Sequence, residues 1–420
     1  MSSSTLEIQQ KKKESTILPK SYYYILIGDI VSRMGDYIYQ IGIPLLIYYI
    51  TSSSVWMGVA FAVEQSALIL TGLFAGTIVD RSNPKKVVMI NSLLQTAAVC
   101  AIPLLFTLGS QNIYVIFAIG FLLIASNFVY RTAINSLTPS VVKKEQLPHA
   151  SGQFSLGRSV SKVLGPIIAG FLVTSLSPVH SLWIDALTFF VIFILMNLIK
   201  ETDMIDQEHT TKKEKSKRTF WEDFKEGFAL LVEIPSVLPL ILLNFMINLG
   251  FVSMFAMMVF HLKDTLGMDS TQIGFVFAAD GVGAFVAGLV LPIVMKKIKN
   301  GFLVLIGSSL MGLSILLLGY TEKAFIVAIL FGLVMFSSQI INRTIYTLWQ
   351  MQVPKNKLGR IFGTATMLES LSVPLAGMLS GLIVKHHGSY FLMKSGGMTV
   401  ILVVILIYIF TNIRTIDNRS

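Results

Sequence analysis

Apolar residues run along this chain in long blocks, and polar breaks separate them. A helix rises 1.5 Å per residue, so roughly 20 apolar residues cross a bilayer's hydrocarbon core. Blocks of that kind lie at about 23–49, 55–79, 87–108, 113–137, 153–176, 180–199, 234–260, 271–295, 302–320, 323–350, 362–384 and 391–413. The pattern predicts twelve spanning helices. Most breaks are short. The longest runs from Lys200 to about Glu226 and carries Lys-Lys-Glu-Lys-Ser-Lys-Arg at 212–218. It divides the blocks into two sets of six. The expected organisation is all-α and polytopic: a tail at 1–21, a six-helix half at 22–199, a polar loop at 200–226, a second half at 227–413 and a tail at 414–420.

Composition agrees with lipid as the main solvent. Apolar types make up 54% of the 420 residues and charged types 13%, about half the charged share of a soluble domain. The mean hydropathy is +0.71. The single cysteine, Cys100, sits inside an apolar block. One thiol excludes an intrachain disulfide and a thiolate metal cluster, so it reads as a small packing residue. The first twenty residues are polar and carry Lys11, Lys12 and Lys13. The apolar block after them is long and has no small-residue cleavage site, so it is expected to be a retained first helix.

The net charge of +10 changes the picture only through its distribution. With the N-terminus inside, the cytoplasmic segments hold 24 of the 33 lysines and arginines. The outer loops hold four: Lys263, Lys323, Lys385 and Lys394. That asymmetry places both termini in the cytoplasm. The basic charge then orients the chain and does not call for nucleic acid.

The two halves also resemble each other. A shift of 212 residues superposes Gly76 on Gly288, Lys85 on Lys297, Gly120 on Gly332 and Ser126 on Ser338. The same shift pairs Arg131 with Arg343, Thr132 with Thr344, Val141 with Val353, Lys143 with Lys355 and Gly165 with Gly377. Parallel six-helix repeats with a substrate site near the midplane are a transporter architecture.

The break after the second block reads Gly76-Thr-Ile-Val-Asp80-Arg81-Ser-Asn83-Pro84-Lys85-Lys86. The pattern G-x-x-x-D-R-x-x-x-K-K resembles the signature of the major facilitator superfamily. Asn83 stands where a glycine is usual and Pro84 where a basic residue is usual. The matching segment, Gly288 to Lys297, has Pro292 in the aspartate slot. The physics fits a cytoplasmic gate. Glycine lets helices approach, and an aspartate at a helix end can pair with basic groups. Arg131 is the expected partner of Asp80. Snorkelling to lipid headgroups is the alternative for Arg131 and Arg343.

The fifth block reads Gly152, eight residues, Ser161, three residues, then Gly165-Pro166-Ile-Ile-Ala169-Gly170. This resembles the superfamily's exporter-associated pattern, with Ser161 and Ala169 replacing two glycines. Small residues pack tightly and proline bends the helix. The resemblance implies export.

The first block holds Asp29, Ser32, Arg33, Gly35 and Asp36. Spacings of four and three put Asp29, Arg33 and Asp36 on one helical face. Glu64 lies in the second block. Asp36 and Glu64 are both expected near mid-membrane, where charges are costly and usually functional. A carboxyl that takes up a proton on one side and releases it on the other is what proton coupling needs. A structural ion pair of Arg33 with Asp29 or Asp36 is the alternative. Ser32 to Asp36, together with Asp80-Arg81, resembles the branch of macrolide-efflux-type and enterobactin-exporter-type proteins. In the second half, Asp280 and Glu369 fall inside blocks, and Asn244 and Asn248 occupy the slots of Ser32 and Asp36. Coupling is therefore expected mainly in the first half.

His386-His387 is expected in an outer loop. No G-x-x-x-x-G-K-[ST], G-x-S-x-G or H-E-x-x-H occurs, so the motifs call for no enzyme, cofactor or metal. The expected protein is a monomeric secondary transporter with protons as coupling ion, exporting amphipathic, drug-like or macrolide-like small molecules. Export of a siderophore or other metabolite, import of a nutrient, and a non-transporting membrane scaffold or membrane enzyme stay open as alternatives.

Overall fold

A computed structural model of the protein describes residues 18–72, 74–200, 228–229, 237–353 and 357–413. The tail before residue 18, the basic run 212–218 and the tail 414–420 lie outside the described residues. Every regular element among the described residues is helical. In lipid each backbone N–H and C=O must be satisfied within its own segment, and a helix does this. The helices are α1 (Lys20–Thr51), α2 (Ser54–Gly72), α3 (Ala75–Asp80), α4 (Pro84–Thr107), α5 (Ile113–Val141) and α6 (Leu147–Leu198). They continue as α7 (Val237–Phe260), α8 (Ser270–Val294), α9 (Asn300–Leu318), α10 (Ala324–Gln352) and α11 (Leu358–Phe410). A π-helical turn, His261–Thr265, extends α7.

Nine helical stretches among the described residues are long and apolar enough to cross a membrane. The longest two are interrupted. α6 leaves helical geometry at Ser177 (φ 73°, ψ 160°) and α11 at Gly388 (φ 79°, ψ 165°). Both breaks fall in gaps between predicted blocks. At the first, Ser177 takes the left-handed region that L-residues rarely enter. Its hydroxyl accepts the His180 N–H at 3.4 Å, and Pro178 opens the next helix. At the second, glycine enters the same region freely. His386 and His387 lie in the last turn of helix before Gly388 and are exposed. That corrects the expected loop: the break is confined to the glycine.

The two departures in the signature segment have a local cause. Asn83 is the N-cap of α4, and its side chain accepts the backbone N–H groups of Lys85 at 2.9 Å and Lys86 at 3.4 Å. Pro84 takes the first helical position, where its missing N–H costs nothing.

The residues form two compact units. The first holds the chain up to Gly42 and from Leu70 to the long polar segment. In it, α4 packs on α5 and α6. The start of α1 lies along α6: Gly28 faces Ile192, Gly157 faces Ile30, and Gly42 faces Pro178 and Ser181. The Tyr22 hydroxyl donates to the Ala150 carbonyl at 2.8 Å.

The second unit joins Ile43–Ile69 to the chain after the polar segment. Within it α7 and α9 pack on α11, and α10 on α8 and α9. The end of α1 meets the π turn, where Tyr48 donates to Asp264 at 2.8 Å. α2 meets α11 backbone to backbone through Gly58, Gly377 and Gly381, and the buried Ser54 hydroxyl donates to the Gly381 carbonyl at 3.0 Å. Small residues are how helices gain close contact where lipid supplies no hydrophobic drive.

Candidate functional site

α1 carries two of the three carboxylates that define the first unit's polar cluster. Asp29 is nearly closed off, with 2% of its side chain exposed. Arg33, one turn on, donates to it at 2.8 Å through Nε and 3.3 Å through its terminal nitrogen. Arg158 on α6 adds a second cation at 3.3 Å. The i, i+4 spacing therefore makes the Arg33–Asp29 pair, and a residue from a distant helix completes it.

Asp36 does not join that pair, although all three residues share a helical face. One oxygen accepts the Asn127 amide at 2.8 Å, and the other meets Arg131 at 3.3 Å. Asn127 and Arg131 lie one turn apart on α5, so both reach the same carboxylate. This corrects the expected partner of Arg131. Asp80 is exposed at the end of α3 and makes no ion pair among the described residues. A third α5 residue continues the stripe: Asn135 approaches Arg158 at 3.5 Å. Asn127, Arg131 and Asn135 at intervals of four were legible in the sequence as one polar face.

The third carboxylate, Asp185, was not singled out by sequence. It lies in the part of α6 after Ser177, fully buried, and neither carboxylate oxygen has a hydrogen-bond partner among the described residues. The Thr188 hydroxyl beside it donates to the Asp185 main-chain carbonyl at 2.7 Å. α1 passes it at Gly35, where a Cβ would overlap both the Asp185 carboxylate and the Thr188 hydroxyl. The signal that could have found it is the one that flagged Glu64: a lone acid inside an apolar block.

Glu64 lies half-buried on α2 in the second unit. Also in that unit, the Asn244 side chain hydrogen-bonds Glu369, whose Oε1 has no hydrogen-bond partner among the described residues. The second unit thus has its own half-buried carboxylate, at the helix position paired by the 212 shift with Gly157.

The signature segment divides by environment. Among the described residues nothing lies within 4 Å of a Cβ at Gly76 or Gly288, so neither glycine serves a close helix contact there. That corrects the packing role expected of Gly76. Arg81 is exposed. Lys85 donates to the Ile199 carbonyl at 2.6 Å, satisfying a free carbonyl at the end of α6. In the exporter-type pattern, Gly152 faces open space, whereas a Cβ at Gly165 would overlap the Tyr37 ring. Ser161, Pro166, Ala169 and Gly170 are buried. The packing expected of this pattern is concentrated in its second part.

The pair around Asp29 carries stability. Removing one partner of a buried ion pair leaves an uncompensated charge at a cost of about 3–5 kcal/mol. Arg158 is 40% exposed and can recover some hydration. Asp29→Ala is therefore expected to destabilise the first unit by about 2–4 kcal/mol. Thermal unfolding in detergent checks this; an unchanged midpoint would mean that both arginines find water.

No group of three or more His, Cys, Asp or Glu among the described residues could hold a metal ion. The arrangement is a set of paired acids and bases within apolar helices, which suits transport across a membrane more than bond chemistry.

Comparison with known proteins points the same way. The sequence profile of the Major Facilitator Superfamily matches residues 25–377. Macrolide efflux protein A of Streptococcus pyogenes is 21% identical over 406 residues, covering 95% of this chain and 98% of that protein. Enterobactin exporter EntS of Escherichia coli is 24% identical over 346 residues, covering 81% and 80%. Among solved structures, a bacterial homologue of the iron transporter ferroportin superposes with a TM-score of 0.71 at 15% identity, over 92% of this chain and 98% of that one. The nucleoside transporter NupG gives 0.73 at 12% identity, over 93% and 99%. At such identities the likeness to solved structures concerns the fold. The profile match spans most of the apolar blocks and both compact units, and with it this chain, a multi-pass transporter of the bacterial cell membrane, belongs to the Major Facilitator Superfamily.

Proposed function

We propose that the protein is a proton-coupled exporter of amphipathic small molecules working by alternating access. The observation that carries this reading is the Asp36–Asn127–Arg131 cluster. It sets an acid on α1 beside a cation and an amide on α5, two helices that this reading takes to cross the membrane. Charges at that depth are expensive and are kept where they move ions or substrates. A proton and Arg131 compete for Asp36, so protonation frees Arg131 and changes which helices are tied together. Glu64 is the corresponding coupling candidate on α2. Relatives named for macrolide efflux and enterobactin export support the outward direction.

The topology belongs to the same reading. Counting α6 and α11 as two spans each and adding α1 to the nine apolar stretches gives twelve. The lysine and arginine bias puts both termini in the cytoplasm. Asp80, Arg81 and Lys85 then lie at the cytoplasmic face and act as a gate, with Lys85 tethered to the end of α6. The working unit is a monomer.

Everted membrane vesicles test the proposal. With an acid interior, adding a transported compound should dissipate the pH gradient, and the gradient should drive the compound inward. A panel of macrolides, lipophilic cations and catecholate siderophores covers the compounds for which the two efflux relatives are named. No response across the panel would overturn proton coupling. A response to catecholates alone would favour the second reading, siderophore export, which the 24% identity to the enterobactin exporter supports.

A further inference from the structure

Asp185 is a fully buried acid that the proposed coupling does not use. Three aspartates line the first unit's cluster, and their surroundings differ. Asp29 has two arginines and Asp36 has an arginine and an amide. Asp185 has no hydrogen-bond partner for either oxygen among the described residues and no exposed surface. An ionised carboxylate taken from water needs donors or a counter-charge. Opposite it on α1 stands Gly35, which has no side chain to offer. Thr188, on its own helix, gives its proton to the main chain. Among the described residues, the titratable neighbours within electrostatic reach are Asp36 on α1 and Cys100 on α4. Neither is a cation. An ionised Asp36 would repel a second negative charge here.

We propose that Asp185 carries the transported proton in this conformation, while Arg131 holds Asp36. The inference rests on the proton-coupled reading and adds to it a second carboxyl with a distinct duty. The proton enters from water onto an Asp185 carboxylate oxygen and leaves to water on the other side, with no other bond made or broken. α1 is the cover. At Gly35 it lies directly on the carboxyl, so a shift of α1 against the second part of α6 uncovers the acid. Asp36, the next residue on α1, moves with that cover. Release of the proton and exchange of Arg131 are thereby tied to one helix motion.

Infrared difference spectroscopy on the full chain in lipid vesicles at neutral pH reads the proton directly. A protonated carboxyl has a C=O stretch separate from carboxylate bands, and the stretch shifts in deuterium oxide. The wild type should show such a band. Asp185→Asn should lose it, and Asp36→Asn should keep it. A protonated-carboxyl signal undiminished in Asp185→Asn, or no such band in the wild type, overturns the inference. The second readout is transport of a panel compound to which the wild type responds. Asp185→Asn should reduce gradient-driven uptake about 5- to 150-fold, the span of ordinary coupling free energies, while exchange of labelled for unlabelled compound continues. Exchange also shows that the variant is folded. Unchanged gradient-driven uptake would overturn the inference. A wild type with no pH response would sink the proton-coupled reading instead, and the spectra would still decide where the proton sits.

Discussion

Asp36→Asn should sharply reduce gradient-driven transport while leaving the protein folded. The two halves of that statement have different physical causes. The Asp36 side chain is 24% exposed and Arg131 is 51% exposed. A pair with that much access to water contributes about 0–1 kcal/mol. Its loss does not unfold the molecule, because Arg131 can turn to solvent. Asparagine still accepts a hydrogen bond from Asn127. It cannot take up a proton or hold Arg131 by charge, so the competition that couples the two is gone. Gradient-driven export should fall about 5- to 150-fold, with the unfolding midpoint within a few degrees of wild type. Glu64→Gln should act in the same direction. Transport assays in everted vesicles beside thermal unfolding give both numbers. Normal export by both variants would remove these carboxyls from the mechanism.

The second large effect concerns the fold. Gly58→Leu should damage the second unit severely. A Cβ at Gly58 would stand 2.5 Å from the Gly377 carbonyl oxygen, 3.1 Å from the Gly381 Cα and 3.2 Å from its nitrogen. All three atoms are backbone, so no side chain can swing away to make room. α2 and α11 must separate, and the Ser54–Gly381 hydrogen bond goes with them. Overpacking costs about 1–3 kcal/mol, and an interhelical hydrogen bond in a membrane contributes about 0.6 kcal/mol more. The cost of a leucine should lie at the upper end. Gly72→Leu is the control, since a Cβ there meets nothing within 4 Å among the described residues. Thermal unfolding in detergent gives the midpoints of both variants. Equal midpoints for the two variants would mean that α2 and α11 separate without cost.

These two sites also differ in how far they could be read from sequence. Asp36 is conspicuous because an acid inside an apolar block is rare and expensive. Gly58 is not, because the chain has 31 glycines. Gly76 illustrates the difficulty. It carries the signature and faces open space, whereas Gly58 carries no motif and faces another backbone. Only the neighbouring helix decides which glycine bears a contact.

The sequence by itself determined the apolar blocks, the gaps in which the breaks at 177 and 388 fall, the shared helical face of Asp29, Arg33 and Asp36, and the family resemblance. Each depends on residues near one another in the chain. Block length follows from bilayer thickness, and a shared face follows from helix pitch. The partner of Asp36, the second arginine on Asp29 and the isolation of Asp185 were decided only by tertiary structure. Those depend on which faces of α1, α5 and α6 meet, and helix periodicity alone does not say which face turns toward which neighbour. Arg131 carries that lesson. Its position in the chain suggested the exposed Asp80, but the face it shares with Asn127 delivers it to Asp36.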